Sequence, residues 1–464
     1  MFLNAEENIR KRAALLLTTV LVACANSSAQ VAFWVAGYYP GWEQSSMPAS
    51  SIDFTTLTHV IHFSIVPNSD GSLNTSDNSI TSANSANFVL QAHATGRPAL
   101  ICVGGGGTES LFQGATSSAN LSSFINNLTN FVATRGYDGV DIDWEPLPST
   151  DAQQFTNLIN GLRSAMNGLS QPKLLTVAAG AYPPYGDSAT ADYLMFAALQ
   201  NQFDQINIMT YDLSGPWSGW VTWFNSPIYD GGYRFPNSGG LVPSVDGAVT
   251  NFLKNGVAPA KLGIGIAFYG YLWTGGSGTS SNCITGPRQS WTNAPTATAI
   301  RYSDIMAGYY QSNFYHWDTN AQSAYIGITN LIPTNNIFIS YDDQRTCQAK
   351  VSYARNHGLG GVMIWELTQD HQSGQVSPLM PAINQALATP GMVNVQMFGS
   401  DLILSFASAA LGSYEVQWTS NLVAGNWNNL FATNIAGIGG TTQFTNVGAS
   451  TNQVLRFYRI RTPP

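Results

Sequence analysis

Eight short apolar runs recur between residues 33 and 366, and most are followed by a stretch of helical character. The runs are Phe33–Tyr39, His59–Val66, Ala99–Gly104, Gly139–Glu145, Leu174–Ala179, Gln205–Tyr211, Leu262–Tyr269 and Gly361–Glu366. Helical patterns such as Asn120–Arg135 and Asp151–Leu169 lie between them. Parallel strands need long crossover connections, and a helix is the usual one. Eight strand-then-helix units predict an α/β chain folded as a (β/α)8 TIM barrel, with its chemistry at the carboxyl ends of the strands. The competing fold is an open doubly wound sheet. No Gly-x-Gly-x-x-Gly opens the first strand-to-helix turn, which counts against it.

Two segments lie outside this rhythm. The interval between the seventh and eighth runs is too long for one helix. Residues at about 272–341 are therefore expected to form an α+β insertion between strands 7 and 8, with extended segments at Ala324–Ile328 and Ile337–Ser340. After Pro390 helical periodicity almost vanishes. Strand-like runs at Leu402–Phe406, Ser413–Trp418, Gln443–Thr445 and Val454–Arg459 are separated by Asn and Gly turns. They predict a small C-terminal all-β sandwich-like domain over 391–464.

Arg10, Lys11 and Arg12 precede the apolar run Ala13 to Ala23, the pattern of a signal peptide over residues 1–29. Two processing sites compete: cleavage before Gln30, and a lipobox-like Leu21-Val22-Ala23-Cys24 that would lipidate Cys24. Either predicts an exported protein, secreted or lipid-anchored. The run is too short for a membrane span, and no later stretch is long enough. Charged residues are 9% of the chain, against about 25% in an average soluble protein. Polarity rests on Asn, Ser, Thr, Gln and 44 Gly, which suits an exported life. The net charge of −8 argues against nucleic acid as a partner. The six His are scattered and no Cys-x-x-Cys occurs, so no metal and no cofactor are expected. Cys102, in the run Ala99–Val103, reads as a buried small hydrophobe. Cys283 and Cys347 are candidates for a disulfide in an oxidising compartment. A monomer is expected.

The chemistry concentrates at Asp138-Gly139-Val140-Asp141-Ile142-Asp143-Trp144-Glu145-Pro146. Alternate residues of a strand share a face, so Asp141, Asp143 and Glu145 point the same way, into the barrel and up toward its mouth. Three carboxyls on one face cannot all ionise cheaply, and the group titrates as a unit. Such an array keeps a carboxylic acid protonated near neutral pH, as a general acid requires. Glu145, last on the strand, is the natural proton donor. The bland readings are a divalent-metal site or a strained structural strand.

Asp138-x-x-Asp141-x-Asp143-x-Glu145 resembles the signature of family eighteen glycoside hydrolases, the chitinase-type enzymes. Gly37-Tyr38-Tyr39-Pro40-Gly41-Trp42 looks like that family's first strand, and Met209-Thr210-Tyr211-Asp212-Leu213-Ser214-Gly215-Pro216-Trp217 its sixth. Gly265–Gly270 resembles the seventh strand and Gly361–Leu367 the eighth. The insertion fits the branch of the family with an α+β subdomain. The resemblance covers residues 31–388.

It implies a secreted chitinase that hydrolyses β-1,4 N-acetylglucosamine linkages in chitin or chitooligosaccharides by a substrate-assisted retaining mechanism. Glu145 would be the general acid/base, Asp143 would stabilise the reacting acetamido group, and Asp141 would share a proton with Asp143. Tyr211 would hold the acetamido carbonyl, with Met209 and Asp212 shaping the same pocket. Trp365 would be the floor under the sugar, and Tyr38, Trp217 and Tyr269 further walls. Trp220, Trp223, Trp273, Trp291 and Trp317 are weaker candidates to extend the groove. Two positions depart from the pattern: Cys102 where the third strand usually has Ser, and Tyr271 where Arg is common. The alternatives are a hydrolase of another N-acetylglucosamine glycan (an N-glycan core or peptidoglycan) and a catalytically silent chitin-binding lectin.

Overall fold

A computed structural model describes residues 33–461 apart from 172, 182–190, 278–283, 372–376, 389–391, 409–412, 421–426, 430–434, 438–439 and 450–455. The signal-peptide region and Cys283 therefore lie outside the described residues. Cys347 is buried and has no disulfide partner among the described residues.

All eight expected barrel strands are present: Trp34–Pro40, His59–Pro67, Ala99–Gly105, Gly139–Trp144, Leu174–Gly180, Gln205–Met209, Leu262–Ala267 and Gly361–Trp365. Neighbours pair in parallel, and the first strand pairs with both the eighth and the second, which closes the barrel. Strand alternation builds two cores. On the fourth strand, Val140, Ile142 and Trp144 face outward into the large core shared with the helices. The inward positions of the other strands fill the barrel with Trp34, Ala36, Tyr38, Leu100, Cys102 and Met363. The helices complete the outer core through one apolar stripe each. Ala152–Asn167 buries Phe155, Leu158, Ile159, Leu162 and Met166, a spacing of three and four residues. Helix starts are capped where the sequence offers an acceptor: the Thr81 hydroxyl accepts from Asn84 N–H at 3.1 Å.

The seventh strand ends at Ala267, and after Phe268 the chain enters a new strand, Tyr269–Thr274. Tyr269 thus belongs to the second sheet as well as to the barrel mouth. This five-stranded antiparallel sheet runs Thr296–Arg301, Tyr269–Thr274, Ile337–Tyr341, Ser323–Ile328, Tyr315–Asp318. Its core contains Trp223, Phe224, Trp273 and Phe338, all fully buried. That corrects the expectation for Trp223 and Trp273: they hold the insertion together and cannot line a groove. A buried ion pair ties the insertion to the barrel. Lys350 Nζ contacts Asp342 Oδ2 and donates to Ser226 Oγ at 2.5 Å, and Asp342 Oδ2 accepts from Ala267 N–H at 3.1 Å.

Beyond residue 391 two small antiparallel sheets form. One contains Met392–Phe398, Asp401–Ser408 and Gly440–Asn446. The other is built on Ser413–Thr419, with Phe457–Arg461 alongside. Leu402 and Leu404 from one meet Val416 from the other, with Tyr458 and Ile460 packed against them. This is the sandwich-like arrangement the alternation predicted. Trp418 and Trp427 are each covered by a guanidinium, Arg456 and Arg459, both at 4.2 Å from the ring centre.

Candidate active site

The fourth strand delivers its carboxyls to three different depths. Asp141 and Asp143 are buried inside the barrel, while Glu145 reaches the partly exposed mouth. The third strand comes close enough because residue 104 is Gly. With φ +111°, a side-chain carbon there would sit 2.0 Å from the Asp143 carbonyl oxygen. Close approach thus accounts for Gly104 and Gly105, which meet the fourth strand and the Phe63 ring, while Gly106 and Gly107 have open space around them.

Asp141 is held from three sides. Thr176 Oγ1 donates to Oδ1 at 2.6 Å, Tyr38 O–H donates to Oδ2 at 2.7 Å, and the Cys102 thiol is a further hydrogen-bond partner. Burial raises its pKa to about 6, and these three donors restrain the rise. Asp143 has different company. Its carboxyl hydrogen-bonds Glu145, and its Oδ1 is buried with no hydrogen-bond partner among the described residues. Burial, then the neighbouring charges of Glu145 and Asp141, push Asp143 well above the carboxylate range. Glu145 is raised too, mainly by burial, against the hydrogen bond from Asp143. Two carboxyls in hydrogen-bond contact, both raised, favour a proton shared between them over two ionised groups.

The opposite wall comes from the ends of the fifth and sixth strands. A cavity of about 180 Å³ is bounded by Glu145, Gly180, Ala181, Met209, Tyr211, Asp212 and Leu213. Tyr211 O–H lies 3.6 Å from Met363 Sδ, and Gly265 leaves room for its ring. Asp212 is fixed in a left-handed conformation, φ +56°, by Asn225, whose side-chain oxygen accepts from Asp212 N–H at 2.8 Å. Its carboxyl accepts from Tyr269 O–H at 2.5 Å and also hydrogen-bonds Tyr271. Burial raises Asp212 against those two donors. The Tyr at position 271 therefore completes the anchoring of Asp212.

The aromatic candidates divide. Trp365 stands at the mouth, its ring 4.6 Å from Phe63 and 5.5 Å from Tyr38. Tyr38 is buried beneath it and serves Asp141. Trp217 is 50% exposed and meets Trp220 edge-on at 4.5 Å. Trp317 lies under the Arg345 guanidinium at 3.9 Å. Three contributors escaped the sequence reading. Thr176 is an inward polar residue paired directly with Asp141 on the adjacent strand, a placement the alternation could have revealed. Asn225 lies in an irregular connection and carries no pattern. Trp42, 44% exposed and edge-on to Phe63 at 5.8 Å, closes the first-strand motif and stands in the 3-10 turn that follows the strand.

These parts define a closed parallel barrel with a stack of buried, proton-sharing carboxyls under an aromatic mouth. The chain belongs to the family described as Glycosyl hydrolases family 18, which matches residues 34–370. It is similar to Chitinase A1 of Niallia circulans, 32% identical over 58% of this chain and 40% of that protein. It also resembles the class V chitinase of Arabidopsis thaliana, 28% identical over 75% of this chain and 89% of the relative. The chain spans 40% and 45% of the length of Chitinase A1 and of a probable endochitinase of Caenorhabditis elegans. Among solved structures, the Group IV chitinase of Ostrinia furnacalis in complex with allosamidin shares the fold at TM-score 0.64 and 23% identity, over 77% of this chain and 99% of that one. The Cycas revoluta family 18 chitinase in complex with (GlcNAc)3 does so at TM-score 0.63 and 23% identity, over 76% of this chain and 99% of the other.

Proposed function

We propose that this chain is a chitinase that cleaves β-1,4-linked N-acetylglucosamine by substrate-assisted retention. The observation that carries the reading is the Asp143–Glu145 pair. It joins a raised, mouth-facing acid to a buried carboxyl oxygen without a partner among the described residues. A 2-acetamido N–H can supply that missing partner.

The proton of the pair sits on Glu145 Oε when substrate binds. Glu145 gives it to the glycosidic oxygen as the bond to C1 breaks. The acetamido carbonyl oxygen closes on C1 and forms an oxazolinium ion, while ionised Asp143 accepts the acetamido N–H. Tyr211 O–H, at the cavity wall, donates to the same carbonyl and holds it in line. Glu145, now a carboxylate, takes a proton from water as that water attacks C1. The ring opens to the acetamide and leaves the β-anomer. Asp141, already served by Tyr38, Thr176 and Cys102, keeps a negative potential behind Asp143 and favours its protonated partner state between turnovers. Trp365 is the apolar floor, with Met209 and Asp212 shaping the pocket and the exposed rings of Trp217 and Trp42 extending the sugar-binding surface.

The same reading makes the chain an exported monomer, with a signal peptide over 1–29, a catalytic unit over 30–390 and an appended module over 391–464. The family match and the chitinase relatives support the substrate class.

The test compares hydrolysis of the N-acetylglucosamine hexamer with that of its fully deacetylated counterpart. Cleavage of the acetylated chain alone, lost in Glu145→Gln, is the expected result. Equal cleavage of both chains would remove the acetamido nucleophile from the account. Binding without cleavage by the folded wild-type protein would turn it into a lectin.

A further inference from the structure

A second cavity lies away from the carboxyl stack. It measures about 570 Å³, within the range of about 300–1,000 Å³ typical of small-molecule sites. It sits where the insertion meets the helix Gln344–Asn356, and its walls include Tyr302, Tyr310, Tyr315 and Tyr341. Topology separates it from the catalytic mouth. Tyr269 faces the barrel interior, so Gly270 and its register partner Tyr341 face the other way. Tyr302 and Tyr341 accordingly belong to the outer core, beside the helices.

The walls combine flat rings with planar polar groups. Tyr310 is 45% exposed and stands edge-on to Tyr315 at 6.2 Å. The rings are set by their own partners: Tyr315 O–H donates to Asp343 Oδ2 at 3.0 Å, and Tyr302 O–H to Gln344 Oε1 at 3.5 Å. Arg345 is braced on the Trp317 ring, and Gln348 lies one helical turn beyond Gln344 on the cavity side. Tyr302 and Tyr341 are buried and only back the cleft, so the rings open to the C–H face of a pyranose are those of Tyr310 and Tyr315; amide, carboxylate and guanidinium groups suit its hydroxyls and acetamide. None of these residues serves the proton relay.

We propose that this cleft is a second carbohydrate site, which holds one or two N-acetylglucosamine units outside the catalytic groove. The ligand class rests on the chitinase reading; the existence of the site rests on the cleft itself. It gives the enzyme a grip on a chain, or on its own product, that is independent of cleavage.

The experiment titrates the N-acetylglucosamine trimer into full-length Glu145→Gln by calorimetry. It repeats the titration with Tyr310→Ala and Gln348→Ala added to that background. The same pair of changes in the otherwise wild-type protein is assayed for hydrolysis of the soluble hexamer. Expected are two classes of site in Glu145→Gln, one lost with the added pair, and hexamer hydrolysis within 2-fold of wild type. Identical isotherms with and without the pair, in folded proteins that keep hexamer hydrolysis, would overturn the second site and leave the catalytic proposal standing. Absence of trimer binding at any site, with no hexamer hydrolysis by wild type, would overturn both.

Discussion

Thr176→Val isolates the support beneath the catalytic pair. Valine keeps the shape of threonine and removes the 2.6 Å donor to Asp141 Oδ1. A hydrogen bond to a charged group contributes about 1.5–3 kcal/mol. At 1.36 kcal/mol per pH unit, its loss raises the pKa of Asp141 by roughly one to two units. Asp141 starts at about 6, so it would become neutral through the neutral range. Less negative charge behind Asp143 lets Asp143 ionise more readily and lowers the pKa of the pair's shared proton. The assay is kcat/KM for the N-acetylglucosamine hexamer between pH 4 and 9, with thermal unfolding at pH 4.5 and pH 8. The basic limb of the profile should move to lower pH. The loss of stability should be larger at pH 8, where ionised Asp141 misses the donor, than at pH 4.5. An unchanged pH profile, with equal destabilisation at both pH values, would refute the electrostatic link between Asp141 and the pair.

Other changes read other parts of the account. Lys350→Met strands Asp342 in the interior and should cost about 3–5 kcal/mol by urea unfolding, much of it recovered when Asp342→Asn is added. Stability should rise as pH falls from 8 to 5. Folded Asp141 at about 6, and Glu366 and Asp370 at about 7, hold protons that the unfolded chain has lost above about 4; a melting temperature that falls over this window would contradict those burial shifts. Trp217→Ala should leave stability within about 0.5 kcal/mol, because the ring is half exposed. It should raise KM for the hexamer about 2- to 12-fold, the equivalent of about 0.5–1.5 kcal/mol for a stacked ring, and the KM for a dimer substrate much less.

The barrel was legible because its signal is local and repeated. Each strand is a short apolar run, and alternation alone assigns Val140 and Ile142 to the outer core and Asp141 and Asp143 to the interior. The acidic strand is legible for the same reason. What the sequence hid depends on contacts across long separations. Thr176 meets Asp141 only because the fourth and fifth strands pair in one register. Tyr38 donates to Asp141 only because the first and fourth strands face each other across the barrel, a partnership that its own strand does not reveal. Trp217 carries a strand-end motif, whereas Trp223 and Trp273 lie outside any motif that marks their depth; folding places these two in the core of the insertion and leaves Trp217 half exposed. The depth of an aromatic ring is a tertiary property, and composition does not encode it.

The central claim is that the substrate's own acetamido group is the nucleophile, with Glu145 as proton donor and then base. Proton NMR of the N-acetylglucosamine hexamer, recorded in the first minutes of reaction before mutarotation, tests it most directly. The account predicts β-anomer alone at the new reducing ends, and no product from Glu145→Gln. Early α-anomer would mean direct attack by water with inversion, and would contradict it.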